Sequence, residues 1–207
     1  MIITLDQVKP IYMSEQEISC SDIYMNRHLV FNTEEKVLIK AQSGRGKSSL
    51  LNFIYGIKSS FDGEIMVNGH SVRKEVQSNY ISYVFQDLKL FEALTVKENI
   101  LLKNDLTKHK RDAEIEQMLS QLGLSEKRDE PVKHLSIGQQ QRVAIIRALC
   151  QPFQFLFLDE PFSHLDQHNV KVAVDLINRE LTSQKAGLLL TTLDPCDAFE
   201  YDKTLQL

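Results

Sequence analysis

Residues 34–41, EEKVLIKA, set Val37, Leu38 and Ile39 side by side between charged neighbours. A short unbroken apolar run with polar ends predicts a strand buried in a sheet. SGRGKSS follows at once, and SSLLNFIYGI after it carries apolar positions at helical spacing. The order is strand, glycine-bearing turn, helix. Residues 60–69, SFDGEIMVNG, alternate and end in Asn68-Gly69, a hairpin pair that tolerates positive φ at both positions. YISYVFQ (80–86) predicts another strand. From Asp87 to about Leu149 the β pattern disappears. Glu114, Ile115, Met118, Leu119 and Leu122 recur at helical spacing and stop at Gly123, and a second helix is expected over Ile137 to Leu149. FQFLFLDE (153–160) is a compact strand ending in two carboxylates. A helix from about Asn169 to Leu181 then leads to a strand at 187–192, after which come Leu193 and Asp194.

Strands alternating with helices predict an α/β fold, with a mostly parallel sheet covered on both faces and residues 87–145 as a helical insertion. A length of 207 residues suits one well-cored domain. The composition, 43% hydrophobic and 25% charged, is ordinary for a soluble protein. A net charge of −4 gives no electrostatic argument for nucleic acid or an anionic membrane surface. Lys108, Lys110 and Arg111 form a basic run amid Asp105, Asp112 and Glu114, which reads as a solvated helix face. Cys20, Cys150 and Cys196 are odd in number and not at metal-ligand spacing, which suits a reducing, cytosolic setting. The N-terminus MIITLDQVKP lacks a signal pattern. No apolar run approaches the roughly 20 residues that span a bilayer. A membrane function would therefore need another chain to do the spanning.

Two stretches carry chemistry. AQSGRGKSS (41–49) fits the phosphate-loop pattern G-x-x-x-x-G-K-[ST] at Gly46, Lys47 and Ser48, with Ala41 at the first glycine position. Gly44 and Gly46 let successive N–H groups turn toward a polyphosphate. Lys47 adds a point charge, the Ser48 hydroxyl can ligate Mg²⁺, and the following helix aims its positive end at the same spot. FLFLDE brings Asp159 to the carboxyl edge of the sheet, where ligands bind. Asp159 suits Mg²⁺, and Glu160 can accept a proton from attacking water. Each stretch alone has a bland alternative, a glycine-serine turn or a solvated strand end; their pairing favours a magnesium-nucleotide site.

HLSIGQQQRVAIIRAL (134–149), taken with SGRGKSS, Phe85-Gln86, FLFLDEP and SHLD (163–166), resembles the ATP-binding cassette (ABC) ATPase family over essentially the whole chain. VFQDLKLFEALTVKENI and GQQQRVAI look closest to ATPase subunits of lipoprotein-release, macrolide-efflux and cell-division systems. The resemblance implies a P-loop NTPase core made of residues 1–86 and 146–207, with a small antiparallel β subdomain. It makes 87–145 a helical subdomain within a single ABC ATPase domain, 1–207. It implies that Ser43, Gly44, Arg45, Gly46, Lys47, Ser48 and Ser49 cradle the phosphates of ATP. Gln86 would touch Mg²⁺ and the water, and Asp159 and Glu160 would serve metal and base. Ser136, Gly138 and Gln139 would cover the ATP held by an opposite subunit, and Asp166 would cross that interface. Read without the family, Ser136 is simply a helix cap and Gly138 permits a close backbone approach. Tyr12 is the candidate for stacking on adenine, with strand packing as the alternative.

The chain departs from the family pattern at three positions. Ala41 replaces a loop glycine, which is tolerable if its φ stays negative. Ile137 replaces a glycine of the signature pair with a stiff β-branched residue. Leu193 stands where the family has a histidine that bonds the γ-phosphate and orients water. Removing one positioned donor of this kind typically slows a reaction on the order of 10²–10³-fold, so slow hydrolysis is expected. His164 and His168 lie near Glu160 in sequence and are conceivable substitutes, though surface histidines are commoner.

The expected function is an ATPase subunit that dimerises, as a homodimer or heterodimer, around two ATP and drives a separately encoded membrane permease. Such a subunit would be cytoplasmic, peripheral on the inner face of the membrane, and without nucleic acid. A nucleotide-gated regulatory subunit with little hydrolysis is the alternative, and a soluble ABC ATPase acting on DNA or ribosomes is the third reading.

Overall fold

The computed structural model describes residues 1–207 apart from Ser43, Glu75, Asp194, Pro195, Cys196 and Ala198. In chain order it contains β1 (Ile2–Pro10), α1 (Glu15–Ile18), β2 (His28–Asn32), β3 (Lys36–Lys40), α2 (Lys47–Tyr55), β4 (Phe61–Val67), β5 (His70–Ser71) and β6 (Ile81–Val84). There follow α3 (Val96–Thr107), α4 (Asp112–Gln121), α5 (Ile137–Leu149), β7 (Phe155–Asp159), α6 (Gln167–Gln184), β8 (Gly187–Thr192) and β9 (Lys203–Gln206). Two sheets form. One is antiparallel, in the order β2-β1-β4-β5; the other runs β6-β7-β8-β3-β9, and every pairing in it is parallel.

The central strands are apolar without a break because both faces of the parallel sheet are covered. Successive residues enter different cores. Val37, Ile39, Phe155, Phe157 and Leu189 face α2 and the antiparallel sheet, where they meet Leu50, Phe53, Ile54, Ile3 and Phe31. Leu38, Leu156, Leu158, Leu188 and Leu190 face the other way, onto Val143, Ile146, Leu149, Val174 and Ile177 of α5 and α6. A one-residue slip in any of these strands would exchange the two sets.

The hairpin at Asn68-Gly69 is observed, with φ of 50° and 79°. The helix predicted over Ile137–Leu149 has those bounds, and α6 is longer at both ends than its periodic core. The basic run is solvated at Lys108 and Arg111, whose side chains are 74% and 86% exposed, but not at Lys110. Lys108 closes α3 in a left-handed conformation. Lys110 lies between α3 and α4 and donates at 2.8 Å to both carboxylate oxygens of Glu180 on α6. Each of these two side chains is 10% exposed, so charge here ties two helical layers together.

Candidate functional site

The phosphate loop lies between β3 and α2, at the carboxyl edge of the parallel sheet. Gly44 and Gly46 have φ of 78° and 89°, a region that glycine enters without strain. Among the described residues a Cβ on Gly44 would meet nothing within 4 Å, so glycine is needed there for its backbone, not for space. Ala41 is not among the positive-φ residues, which is the condition under which its methyl is tolerated. Gly46, which has no side chain to cap with, is the N-cap of α2, so the positive end of the helix opens onto the loop. Arg45 is exposed and Ser49 half-buried within this loop and first turn. Ser43 falls outside the described residues.

Lys47 folds back under the loop. Its side chain is 5% exposed, and its ammonium donates to the main-chain oxygens of Ala41 (2.9 Å) and Gln42 (3.2 Å) and lies 3.0 Å from Glu160 Oε1. Ser48 Oγ donates to Gln86 Oε1 at 3.1 Å, joining the loop to the end of β6. Asp159, 2% exposed at the end of β7, accepts from Thr191 Oγ1 on neighbouring β8 at 2.6 Å, and the Ser48 hydroxyl lies beside it. Burial pushes its carboxyl above the usual carboxylate range, while those two hydroxyls pull it back down. Ser48, Gln86 and Asp159 together offer only oxygen donors, the set a hard cation such as Mg²⁺ prefers, and a buried carboxylate is stabilised by such a charge. The residues present therefore fit the metal.

Glu160 adopts φ of 49°, a left-handed conformation that costs a non-glycine residue roughly 1–2 kcal/mol. Its N–H donates to Thr191 O at 3.0 Å. Its main-chain oxygen accepts from Gln141 Nε2 (3.1 Å) and Ser163 Oγ (3.3 Å). A turn held from both sides aims the carboxylate back at Lys47.

The structure thus brings Lys47, Ser48, Gln86, Asp159 and Glu160 together. Tyr12 joins them, with its hydroxyl 3.7 Å from where a Gly46 Cβ would stand. It lies 56% exposed just after β1, so it is not packed in the strand. Ser136, Gly138 and Gln139 are elsewhere. Ser136 and Gln139 cap the start of α5 reciprocally, at 2.9 and 3.3 Å. Among the described residues no hydrogen bond joins them to the phosphate loop. Ile137 beside them is 52% exposed. Asp166 is the N-cap of α6, accepting from Asn169 N at 2.8 Å.

Leu193 follows directly on β8, is 51% exposed, and lines a cavity of about 740 Å³ together with Glu160, Phe162 and Leu165. It is not core packing. His164 and His168 are exposed, and the His164 ring is engaged by Ser163 Oγ at 2.9 Å. Asp194 lies outside the described residues. Sequence reasoning missed Thr191 and Gln141, the two side chains that hold the acidic pair. Their partners are 32 and 19 residues away along the chain, and only the fold brings them close.

The sequence pattern of the ABC transporter family matches residues 24–163. The chain is 36% identical over 191 residues to the thiamine import ATP-binding protein ThiQ of Haemophilus influenzae, covering 90% of this chain and 89% of that one. It is 37% identical over 175 residues to ThiQ of Histophilus somni, covering 83% and 82%. With the sulfate/thiosulfate import ATP-binding protein CysA of Synechococcus elongatus it shares 40% over 152 residues, 72% of this chain and 43% of CysA. Among solved structures, a putative ABC transporter ATP-binding protein from Pyrococcus furiosus superposes with a TM-score of 0.75 at 17% identity. That likeness covers 100% of this chain and 98% of the other, and at this identity it speaks for the fold. The three curated relatives are named as import subunits, so the likeness to lipoprotein-release, macrolide-efflux and cell-division subunits is a loose one. With the match running from Tyr24, beside the phosphate loop, to Ser163, just past Glu160, the chain belongs to the ABC transporter family and is an ATPase.

Proposed function

We propose that two such subunits close head to tail around two ATP and that the cycle drives a separately encoded membrane permease, in the import direction. The names of the relatives support import and divide among thiamine, sulfate/thiosulfate and bicarbonate, so the proposal is confined to the class of machine. Among the described residues no helix is long and apolar enough to cross a membrane, which suits a subunit attached through a permease at the inner face of the membrane. The carrying observation is the division of the chemistry. The loop lysine, the metal-type oxygens and the base form one cluster, while Ser136 to Gln139 cap a separate helix tip at the start of α5. A tip of this kind is free to cover a nucleotide held by another copy.

In this reading Gly44, Arg45, Gly46, Lys47, Ser48 and Ser49 hold the phosphates, and Tyr12 stacks on the adenine. Ser48, Gln86 and Asp159 hold Mg²⁺, which supplies charge neutralisation at the phosphates. Lys47 positions the terminal phosphate and Glu160 accepts the proton of the attacking water. Gln86 hinges residues 87–145 as a helical unit. Leu193 contributes no donor at the position beside Glu160, so hydrolysis is slow.

Glu160→Gln with ATP should trap a dimer on size-exclusion chromatography with light scattering. A species that stays monomeric at saturating ATP contradicts the reading. The exposed leucine beside the base also favours a second reading, a nucleotide-gated subunit with marginal hydrolysis. The lifetime of the native ATP-bound dimer separates the two, since persistence for hours supports the second.

A further inference from the structure

Gln141 lies in the second turn of α5 and is 3% exposed. None of its side-chain bonds stays on its own helix. Its amide nitrogen donates to the main-chain oxygen of Glu160 (3.1 Å) and to Ser163 Oγ (3.4 Å). Its amide oxygen accepts the His164 N–H at 3.1 Å. Three residues earlier on the same face is Gly138, where a Cβ would sit 2.6 Å from the main-chain oxygen of His164. The obstacle is backbone and cannot swing aside, so the glycine lets the helix lie directly on the 160–164 turn. The helix tip and the base are thereby clamped at two points. On its other side Glu160 is fixed by its N–H bond to Thr191 O.

We propose that Gln141 is a positioning residue for Glu160: it holds the left-handed turn that aims the base and couples it to the helix tip bearing Ser136 and Gly138. The inference rests on the proposed function for the roles of Glu160 and Ser136. In a head-to-tail dimer the tip covers the opposite site while Glu160 serves its own, so Gln141 carries the seating of one nucleotide to the base at the other. A buried glutamine with merely structural duties would also be fully bonded. Such a residue would affect stability without separating rate from affinity.

The test compares native chain, Gln141→Leu and Gln141→Glu by thermal melt, affinity for a fluorescent ATP analogue, and single-turnover hydrolysis across pH. The phosphate loop is untouched, so affinity should remain near native while the hydrolysis rate falls on the order of tenfold to a hundredfold, the scale of a misplaced catalytic group. Relative to native, Gln141→Glu should recover as pH falls, because a protonated carboxyl regains a donor toward Glu160 O. If Gln141→Leu does not fold, the pH-dependent recovery of Gln141→Glu decides. Native-like rates in folded variants, a parallel fall of rate and affinity, or no relative recovery at low pH would overturn the proposal. A native chain that fails to hydrolyse ATP overturns the proposed function and this inference with it. Native turnover with unaltered variants overturns this inference alone.

Discussion

Lys47 Nζ and Glu160 Oε1 lie 3.0 Å apart, joining the loop cation to the proposed base in a pair whose side chains are 5% and 22% exposed. The lysine also donates to two loop carbonyls, so one ammonium organises the loop and faces the acid. Lys47→Ala should therefore weaken ATP binding. Loss of a charged hydrogen bond is worth about 1.5–3 kcal/mol, which is roughly a 10- to 150-fold rise in the dissociation constant, readable by titration with a fluorescent nucleotide. Glu160→Gln keeps a polar oxygen beside the ammonium and should bind ATP nearly as well as the native chain.

Leu193→His restores a donor in the cavity that Leu193 shares with Glu160. Steady-state turnover should rise on the order of 10²–10³-fold, the scale of one positioned donor. Unchanged turnover would show that the leucine costs the reaction nothing.

Thr191→Val removes the hydroxyl that donates to Asp159 Oδ1 at 2.6 Å while keeping the side-chain shape. A buried carboxylate that loses a partner should destabilise the chain by about 1–3 kcal/mol, measured by urea unfolding. The same variant should need more Mg²⁺ for half-maximal turnover, because the carboxylate is less firmly oriented.

Lys110→Met strands Glu180 in a site where both side chains are 10% exposed. Removing one member of a buried pair typically costs about 3–5 kcal/mol. Lys110→Met combined with Glu180→Leu should regain most of that loss in the same unfolding measurement, because no charge is left uncompensated.

Legibility in the sequence followed the range of the interaction. The β3–loop–α2 unit could be read because its glycines, lysine and apolar helix face are contiguous. The same holds for β7 with its two acids and for α5 with its Ser136 cap. β1 went unread because its alternation breaks at Gln7, which has φ of 49° where the register with β4 shifts. β9 has only four residues at a sheet edge, and α3 buries little beyond Val96 and Ile100 among its apolar positions. In the site, the members of the motifs were legible and their supports were not. Thr191 and Gln141 look like an ordinary strand threonine and one glutamine among three until β8 and α5 are packed beside Asp159 and Glu160. Lys110 misled for the same reason, since its partner Glu180 lies 70 residues away.

The central claim is that each ATP site is built from two chains, and mixing two disabled variants tests it most directly. Lys47→Ala disables the loop and leaves the helix tip intact; Ser136→Arg does the reverse. Each purified alone should show no ATP turnover. Mixed, they can form one complete site from the Ser136→Arg loop and the Lys47→Ala tip, and turnover should reappear. A mixture as inactive as its components, under conditions where the native chain hydrolyses ATP, would contradict the composite site.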